Sequence, residues 1–124
     1  MENNNNVPVK FTQEIKDNWL ANLKSGEYVQ GFHSLMDYDH ELNKPLHCCI
    51  GVLGSCTEGL DNMSSEGDVS QGGYINPYSF LSIAIGEKVM QNLYHINDDN
   101  EYLLTGKRDY SNVIPLIEAL PVTE

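Results

Sequence analysis

Apolar residues near the start of the chain repeat with the period of an α-helix. Four of them lie at i, i+4, i+5 and i+8 and therefore share one helical face: Ile15, Trp19, Leu20 and Leu23. Thr12 precedes this stripe at the position of an N-cap residue, and Gly26 follows it at the position where glycine often ends a helix. The pattern predicts an amphipathic helix over residues Phe11 to Lys24.

Two further helical stretches are predicted between residues 76 and 96. Asn76 and Pro77 have the order of an N-cap residue followed by proline at the first helical position. The apolar residues that follow share one helical face: Phe80, Leu81, Ala84 and Ile85. We expect Gly86 to break or kink this helix, because glycine disfavours a helix interior. A second stretch then contains three apolar residues at helical spacing: Val89, Met90 and Leu93.

The end of the chain predicts one more helix. Ser111 is the expected cap and Pro121 the expected stop. The apolar stripe between them consists of Val113, Ile114, Ile117 and Leu120.

Other segments lack a helical stripe. Residues Glu27 to Tyr38 predict short extended segments, paired across residues 37–43. Tyr102 to Leu104 predicts a short strand between a polar turn at residues 97–101 and a second turn at residues 106–109. The apolar run at residues 46–53 fits a buried strand or a buried helix. Residues 54–73 are rich in glycine and serine and predict a long loop or flap.

These elements predict a helix-dominated α+β fold with three or four helices and a small antiparallel β element. Residues 1–10 are polar and are expected to form a disordered N-terminal tail. Residues 11–124 are then a single globular domain, which suits a chain of 124 residues.

Charge excludes several classes of partner. Seven Lys or Arg residues oppose 18 Asp or Glu residues, so the formal net charge is −11. Binding to nucleic acid or to an anionic membrane needs a basic surface, and no basic stripe is present. The sequence has no apolar run long enough for a membrane span and no signal-peptide pattern at its N-terminus. We therefore expect a cytoplasmic protein.

The chemistry-bearing residues form no complete motif. Cys48 and Cys49 are adjacent and Cys56 is the third cysteine, so reduced thiols are expected rather than a disulfide framework. Three interpretations are open for them: packing in the core, which is favoured, a nucleophile of a thiol-dependent enzyme near His47, or a metal site. The residues after Asp98 miss the spacing of a calcium loop. No glycine pattern for nucleotide hydrolysis occurs, and no cofactor or catalytic residue is predicted.

Two segments resemble a family. Residues 19–31, W-L-A-N-L-K-S-G-E-Y-V-Q-G, resemble the opening W-L-x-x-L-x-S-G-x-Y-x-Q-G of a group of small uncharacterised bacteriophage and prophage proteins. Residues 47–53 resemble the second block of that group, C-C-[LI]-G-V-L. Asn97-Asp98 and residues 110–120 resemble a third block, separated here by an insertion at residues 99–109. The resemblance implies a phage context and a helix from Cys48 to Cys56.

The resemblance and the missing catalytic set favour a non-enzymatic accessory protein. We expect it to counter host defence by sequestering a small nucleotide-like immune signal in the host cytoplasm, as a homo-oligomer with a pocket. Lys107 and Arg108 form the only adjacent basic pair and suit a phosphate. The full set of predicted ligand-binding residues is Trp19, Tyr28, Gln30, Asn97, Asp98, Lys107 and Arg108. The alternatives are an acidic inhibitor of a basic host protein, such as a defence nuclease, and the thiol-dependent enzyme.

Overall fold

The computed structural model describes residues 8, 10–63 and 74–123. Within these ranges the chain forms a three-stranded sheet and six helices, in this order: α1 (Gln13–Lys24), β1 (Val29–Gln30), β2 (Met36–Asp39), β3 (Lys44–His47), α2 (Cys49–Cys56), α3 (Pro77–Ile85), α4 (Glu87–Asn97), α5 (Asn100–Leu104) and α6 (Ile114–Glu118). The predicted α+β class with dominant helices is confirmed. Most of the predicted tail and of the predicted flap, residues 1–7, 9 and 64–73, lies outside the described residues.

Helix α1 begins as its sequence predicts. The Thr12 side chain accepts a hydrogen bond of 3.1 Å from the backbone N–H of Ile15 and so caps the helix. The helix ends at Lys24, and Gly26 follows with a φ of 81° that favours glycine. Trp19 is fully buried, and its indole N–H donates to the Cys49 carbonyl at 2.8 Å. This bond fixes α1 against the first turn of α2.

Gly86 separates α3 from α4. The Asn76 side chain caps α3 by accepting from the Tyr78 N–H at 2.8 Å, and Pro77 occupies the first turn as predicted. Gly86 has a φ of 104°, so α3 ends before it and α4 starts a new axis after it. The two predicted helical stretches are confirmed.

The apolar run at residues 46–53 is divided between two elements. Its first two residues end β3, and α2 starts at Cys49, so the helix implied by the family resemblance is confirmed apart from its first residue. Cys48 is the N-cap, and its sulfur accepts from the Gly51 N–H at 3.3 Å. A Cβ atom on Gly51 would lie 1.9 Å from the carbonyl oxygen of Leu35. Glycine is therefore required where α2 crosses the chain before β2.

The sheet is mixed rather than antiparallel. Strands β2 and β3 form the predicted antiparallel hairpin, with Met36 opposite His47 and Asp39 opposite Lys44. Strand β1 instead pairs in parallel with β3, which gives the order β1-β3-β2. The prediction of a purely antiparallel element is therefore wrong for β1. The reason is that residues 31–35 cross the sheet before β2 begins, and β3 then returns in the direction of β1.

Two predictions in the last third of the chain are wrong. Residues 102–104 belong to α5 rather than to a strand, because the Asp99 side chain caps this short helix by accepting from the Glu101 N–H at 2.8 Å. Helix α6 begins at Ile114, so Ser111 does not cap it. The proline in its first turn makes an earlier start unfavourable. The six helices of the described residues also exceed the predicted three or four, and α5 is the one that forms where a strand is predicted.

One core lies between α2 and the helices around it. Helix α2 is buried over six of its eight residues and contacts α1, α3, α4 and β3. Phe11, Trp19, Phe80 and Tyr110 are among its largest fully buried neighbours. No helix in the described ranges is long and apolar enough to cross a membrane.

Candidate functional site

Three side-chain amides, two of them buried and one partly exposed, meet where β1, α4 and the loop before α6 converge. We call Gln30, Asn97 and Asn112 the amide cluster. Gln30 Nε2 donates to Asn97 Oδ1 at 2.9 Å and to Asn112 Oδ1 at 3.0 Å. Asn112 Nδ2 donates to the Ile96 carbonyl at 2.7 Å. Gln30 and Asn97 have no exposed surface, so their polar groups depend entirely on protein partners.

The amide cluster also joins the backbone of distant segments. Asn97 Oδ1 accepts from the Cys49 N–H at 3.1 Å, and Asn97 Nδ2 donates to the Gly31 carbonyl at 3.0 Å. Gln30 Oε1 accepts from the Tyr110 N–H at 2.8 Å. Each amide oxygen and nitrogen that these bonds use is satisfied inside the fold. The amide cluster therefore links β1, α2 and α4 structurally, and its amide oxygens and nitrogens are already paired with protein atoms rather than open to a ligand.

Arg108 lies beside the amide cluster, and its guanidinium contacts other residues of the protein. Its Nη1 donates to the Gln30 carbonyl at 3.2 Å, and its guanidinium lies 5.6 Å from the centre of the Phe32 ring. Asp98 sits on the same side of the fold and accepts from the His33 N–H at 3.0 Å. Four of the predicted ligand-binding residues do lie close together, namely Gln30, Asn97, Asp98 and Arg108. Their hydrogen bonds, however, hold β1 and the residues that follow it in place.

The other predicted site residues are dispersed. Trp19 is buried against α2, so its ring offers no face to a ligand. Lys107 is exposed, next to Arg108 in the turn after α5. Tyr28 is half-buried, and its ring meets the His47 ring edge-on at 5.1 Å. Of the predicted aromatic residues, Tyr28 is the one that lines an open cleft.

The three thiols lie in surroundings that keep them protonated. Burial raises the pKa of Cys48 to about 11 and raises that of Cys49 well above its ordinary value. Burial also raises the pKa of the partly exposed Cys56 thiol. A thiol is nucleophilic as the thiolate, so none of the three is activated for attack. The geometry agrees with the interpretation that the cysteines pack in the core.

The cleft at Tyr28 opens between the starts of β1 and β3. It has a volume of about 310 Å³ and is lined by Glu27, Tyr28, Val29, Lys44, Pro45 and His47. Parallel pairing of β1 with β3 aligns these two short segments side by side. Lys44 is exposed and has no ion-pair partner within the described ranges. We call this the Tyr28–His47 cleft.

His47 lines this cleft and has one buried ring nitrogen without a partner among the described residues. The side chain is 7% exposed, and its Nδ1 atom is buried without a partner among the described residues. Burial lowers the pKa of His47, so the ring is neutral at neutral pH. A buried polar atom without a partner costs about 1–3 kcal/mol, and such atoms are uncommon in folded proteins. Because this atom has almost no exposed surface, a ligand in the cleft would reach it only after a movement of the His47 side chain.

Two other open clefts suit a ligand less well. The larger, about 410 Å³, lies at the α1–α2 junction and carries the carboxylates Glu14 and Glu58 without a cation. The smaller, about 250 Å³, lies between Tyr78 and Tyr94 on α3 and α4 and includes Glu87. Neither has a cation among its lining residues. In the described part of the chain, no group of three or more His, Cys, Asp or Glu side chains is placed to hold a metal ion.

Of the residues that line the cleft, the sequence predicts only Tyr28 as a ligand contact, and it does not predict Asn112 of the amide cluster. It singles out His47 only as the neighbour of a possible nucleophilic thiol. A signal for His47 was its place directly before an apolar helix, where a polar side chain is unusual. No local sequence pattern identifies Lys44 as a ligand contact, because it lies near Tyr28 only once the β2–β3 hairpin has formed.

One family model matches most of the chain. The family model described as Domain of unknown function (DUF8296) matches residues 11–115, and the chain therefore belongs to this family. No curated protein and no solved structure matches the chain. The amide cluster and the Tyr28–His47 cleft both lie within the matched residues.

Proposed function

We propose that this member of the DUF8296 family is a non-enzymatic binding protein that holds a small nucleotide-like ligand in the Tyr28–His47 cleft. The observation that carries the proposal is an open cleft lined together by the aromatic ring of Tyr28, the cation of Lys44 and the imidazole of His47. The sequence resemblance to phage proteins supports a role in the host cytoplasm, where the protein would sequester an immune signal. Three free cysteines suit that reducing compartment.

The lining of the cleft supports a ligand with a ring and one phosphate. A volume of about 310 Å³ lies at the lower end of the range for small-molecule sites. Lys44 supplies one cation for a phosphate, and Tyr28 supplies an aromatic surface for a base. Glu27 is the one carboxylate on the rim and can accept from a ribose hydroxyl. The lining has one cation, Lys44, and one carboxylate, Glu27. A single phosphodiester has one negative charge for Lys44 to balance, so it suits the cleft better than a pyrophosphate, which has more.

Binding without turnover is supported by the chemistry of the cleft. His47 is the one imidazole among the lining residues, and the cleft contains no thiol. A nucleophile with an adjacent oriented base is absent from this lining. Sequestration requires only tight and selective binding, for which the rigid β1–β3 pair is a sufficient platform.

Isothermal titration calorimetry with cyclic AMP and with ADP-ribose tests the proposal. We expect cyclic AMP to bind more tightly than ADP-ribose, because its single phosphate matches Lys44. Replacement Lys44→Gln should weaken cyclic AMP binding by roughly 1.5–3 kcal/mol, the range for a hydrogen bond to a charged group. The matched control is Lys88→Gln on α4, which changes the net charge equally at an exposed site away from the cleft.

Two outcomes would contradict the proposal. One is the absence of heat with cyclic nucleotides and ADP-ribose derivatives alike. The other is equal weakening by Lys44→Gln and Lys88→Gln, which would indicate attraction by overall charge instead of a site.

We propose further that the ligand-bound form is a symmetric oligomer. The Tyr28–His47 cleft is open on one side, and a second copy placed over it would exclude water from the ligand. Sedimentation velocity with and without cyclic AMP tests this step. A monomer in both conditions would contradict it while leaving the calorimetric test of the cleft unaffected.

A further inference from the structure

Strand β2 is a free edge of the sheet. Among the residues that the structure describes, the sheet order β1-β3-β2 leaves one side of β2 without a neighbouring strand. The Leu35 carbonyl accepts from the Cys48 N–H at 3.3 Å, which makes this pair a hydrogen-bonded one. Hydrogen-bonded and non-hydrogen-bonded pairs alternate in an antiparallel ladder, so Asp37 is bonded to β3 while Met36 and Tyr38 point their backbone groups outward.

The side chains of this edge alternate in character. Met36 and Tyr38 project from one face and are 45% and 43% exposed. Asp37 and Asp39 project from the opposite face, and Glu41 adds a third carboxylate in the turn that follows. Large apolar side chains in such exposed positions on a sheet edge are typical of a surface that binds another chain.

We propose that the β2 edge binds an extended segment of a basic partner protein by strand addition. An added strand places every second side chain on each face, so apolar residues would pack on Met36 and Tyr38. Lys or Arg at the intervening positions would lie next to Asp37 and Asp39. The edge therefore fits a segment in which basic and apolar residues alternate. This inference concerns a surface other than the Tyr28–His47 cleft and does not depend on the ligand.

A second copy of this chain is a poor occupant of the same edge. An antiparallel pairing of β2 with itself, centred on Tyr38, would place Asp37 of each copy beside Asp39 of the other. Like charges directly opposite each other destabilise a pair of strands. The net charge of −11 adds attraction toward a basic partner.

Asp37 protects the edge while no partner is bound. Its Oδ1 accepts from the Tyr38 N–H at 2.8 Å, and this N–H is one of the outward groups. An incoming strand would offer a carbonyl to the Tyr38 N–H and release the Asp37 carboxylate to pair with a basic residue. A side-chain cap of this kind limits unspecific pairing of a free edge.

Fluorescence anisotropy with two labelled peptides tests the inference on the full chain. One peptide alternates Lys and Val, and the other has the same composition with all Lys residues before all Val residues. We expect the alternating peptide to bind at least about tenfold more tightly, because only its pattern matches both faces of β2. The double variant Asp37→Asn/Asp39→Asn should weaken its binding by about tenfold, since two cross-strand charge pairs are lost.

The asparagine side chains retain the acceptor oxygens that Asp37 and Asp39 use within the hairpin, so this variant keeps its fold. The matched control Glu14→Gln/Asp17→Asn on α1 removes the same charge and should leave peptide binding unchanged. Equal affinity for the two peptides, no binding of either, or equal weakening by the two double variants would overturn the inference. Self-association that depends on the β2 edge would also overturn it by assigning the edge to a second copy.

Discussion

Asn97 Oδ1 accepts a hydrogen bond of 2.9 Å from Nε2 of Gln30, a residue 67 positions earlier in the chain. The same oxygen accepts from the Cys49 N–H, so one atom at the end of α4 fixes both β1 and the start of α2. The parallel pairing of β1 with β3 depends on these side-chain hydrogen bonds, because a strand of two residues forms few backbone hydrogen bonds with its neighbour. The Tyr28–His47 cleft, which those strands form, is therefore held in shape from the buried side.

Replacement of Asn97 should cost the protein much of its stability. Asn97→Ala leaves the Cys49 N–H and the Gly31 carbonyl without their partners in a buried region. We expect the free energy of unfolding to fall by about 2–4 kcal/mol, since each buried unsatisfied group costs about 1–3 kcal/mol. Urea unfolding followed by circular dichroism measures this change.

The control for Asn97 is Asn22→Ala in α1. Asn22 forms side-chain bonds to Asn18 alone, one turn earlier. Its loss should change stability by less than about 0.5 kcal/mol. A change of that small size in Asn97→Ala would contradict the role of the amide cluster.

Arg108 should contribute to stability, although its place in a basic turn predicts a solvated residue. Arg108→Ala removes the bond to the Gln30 carbonyl and the contact with the Phe32 ring. We expect a loss of about 1 kcal/mol, the sum of a modest hydrogen bond and a partly exposed cation–π contact. Thermal unfolding compares it with Lys107→Ala, an exposed neighbour that should have no measurable effect. Equal melting temperatures for the two variants would contradict this assignment.

The cysteines should differ in their reactivity toward a thiol reagent. Cys49 has no exposed surface and Cys48 is 2% exposed, while Cys56 is partly exposed. We expect one thiol per chain to react in the native protein and three after unfolding. Mass spectrometry of the modified peptides locates the first site. Modification of Cys48 or Cys49 before Cys56 would show that α2 opens readily and would revive the thiol-dependent alternative.

His47 should make stability depend on mildly acidic pH. Burial holds its pKa below the ordinary value of 6.5, so the unfolded chain binds a proton that the native ring does not. The stability is then fully present above the unfolded pKa and declines, by up to about 1.4 kcal/mol per pH unit, as the pH falls below it. Urea unfolding between about pH 7 and pH 5.5 measures this slope.

The variant His47→Phe should lose that part of the pH dependence, whereas His95→Gln at an exposed position should retain it. At neutral pH His47→Phe should be as stable as the parent or more so, because it removes an unpaired buried nitrogen. A large loss of stability at neutral pH would mean that the imidazole has a structural partner.

Elements with strong local signals could be predicted from the sequence. Thr12, Asn76 and Gly86 mark helix ends by their own side chains or by a backbone conformation that favours glycine. The strand predicted at residues 102–104 failed because the cap at Asp99 outweighs the β propensity of one tyrosine in so short a segment. The direction of β1 was also beyond a local pattern, since it depends on pairing with β3, which follows β2 and a turn later in the chain.

The sites were harder to predict for the same physical reason. A charge-based reading selected Arg108 as a free cation, but its partners in the fold, Gln30 and Phe32, lie far from it in the sequence. Lys44, which does face an open cleft, is separated from Tyr28 by an entire hairpin. Whether a polar side chain is free or engaged depends on these long-range contacts.

The most direct test of the account is a ¹⁵N–¹H NMR titration of the protein with cyclic AMP. We predict that the amide signals of the lining residues Glu27, Tyr28, Val29, Lys44 and His47 shift together and saturate. Signals of residues 97–98 and 107–108, next to the amide cluster, should move little. Shifts confined to residues 97–108 would place the ligand at the turn of Arg108 and contradict the account, as would a titration that perturbs no signal.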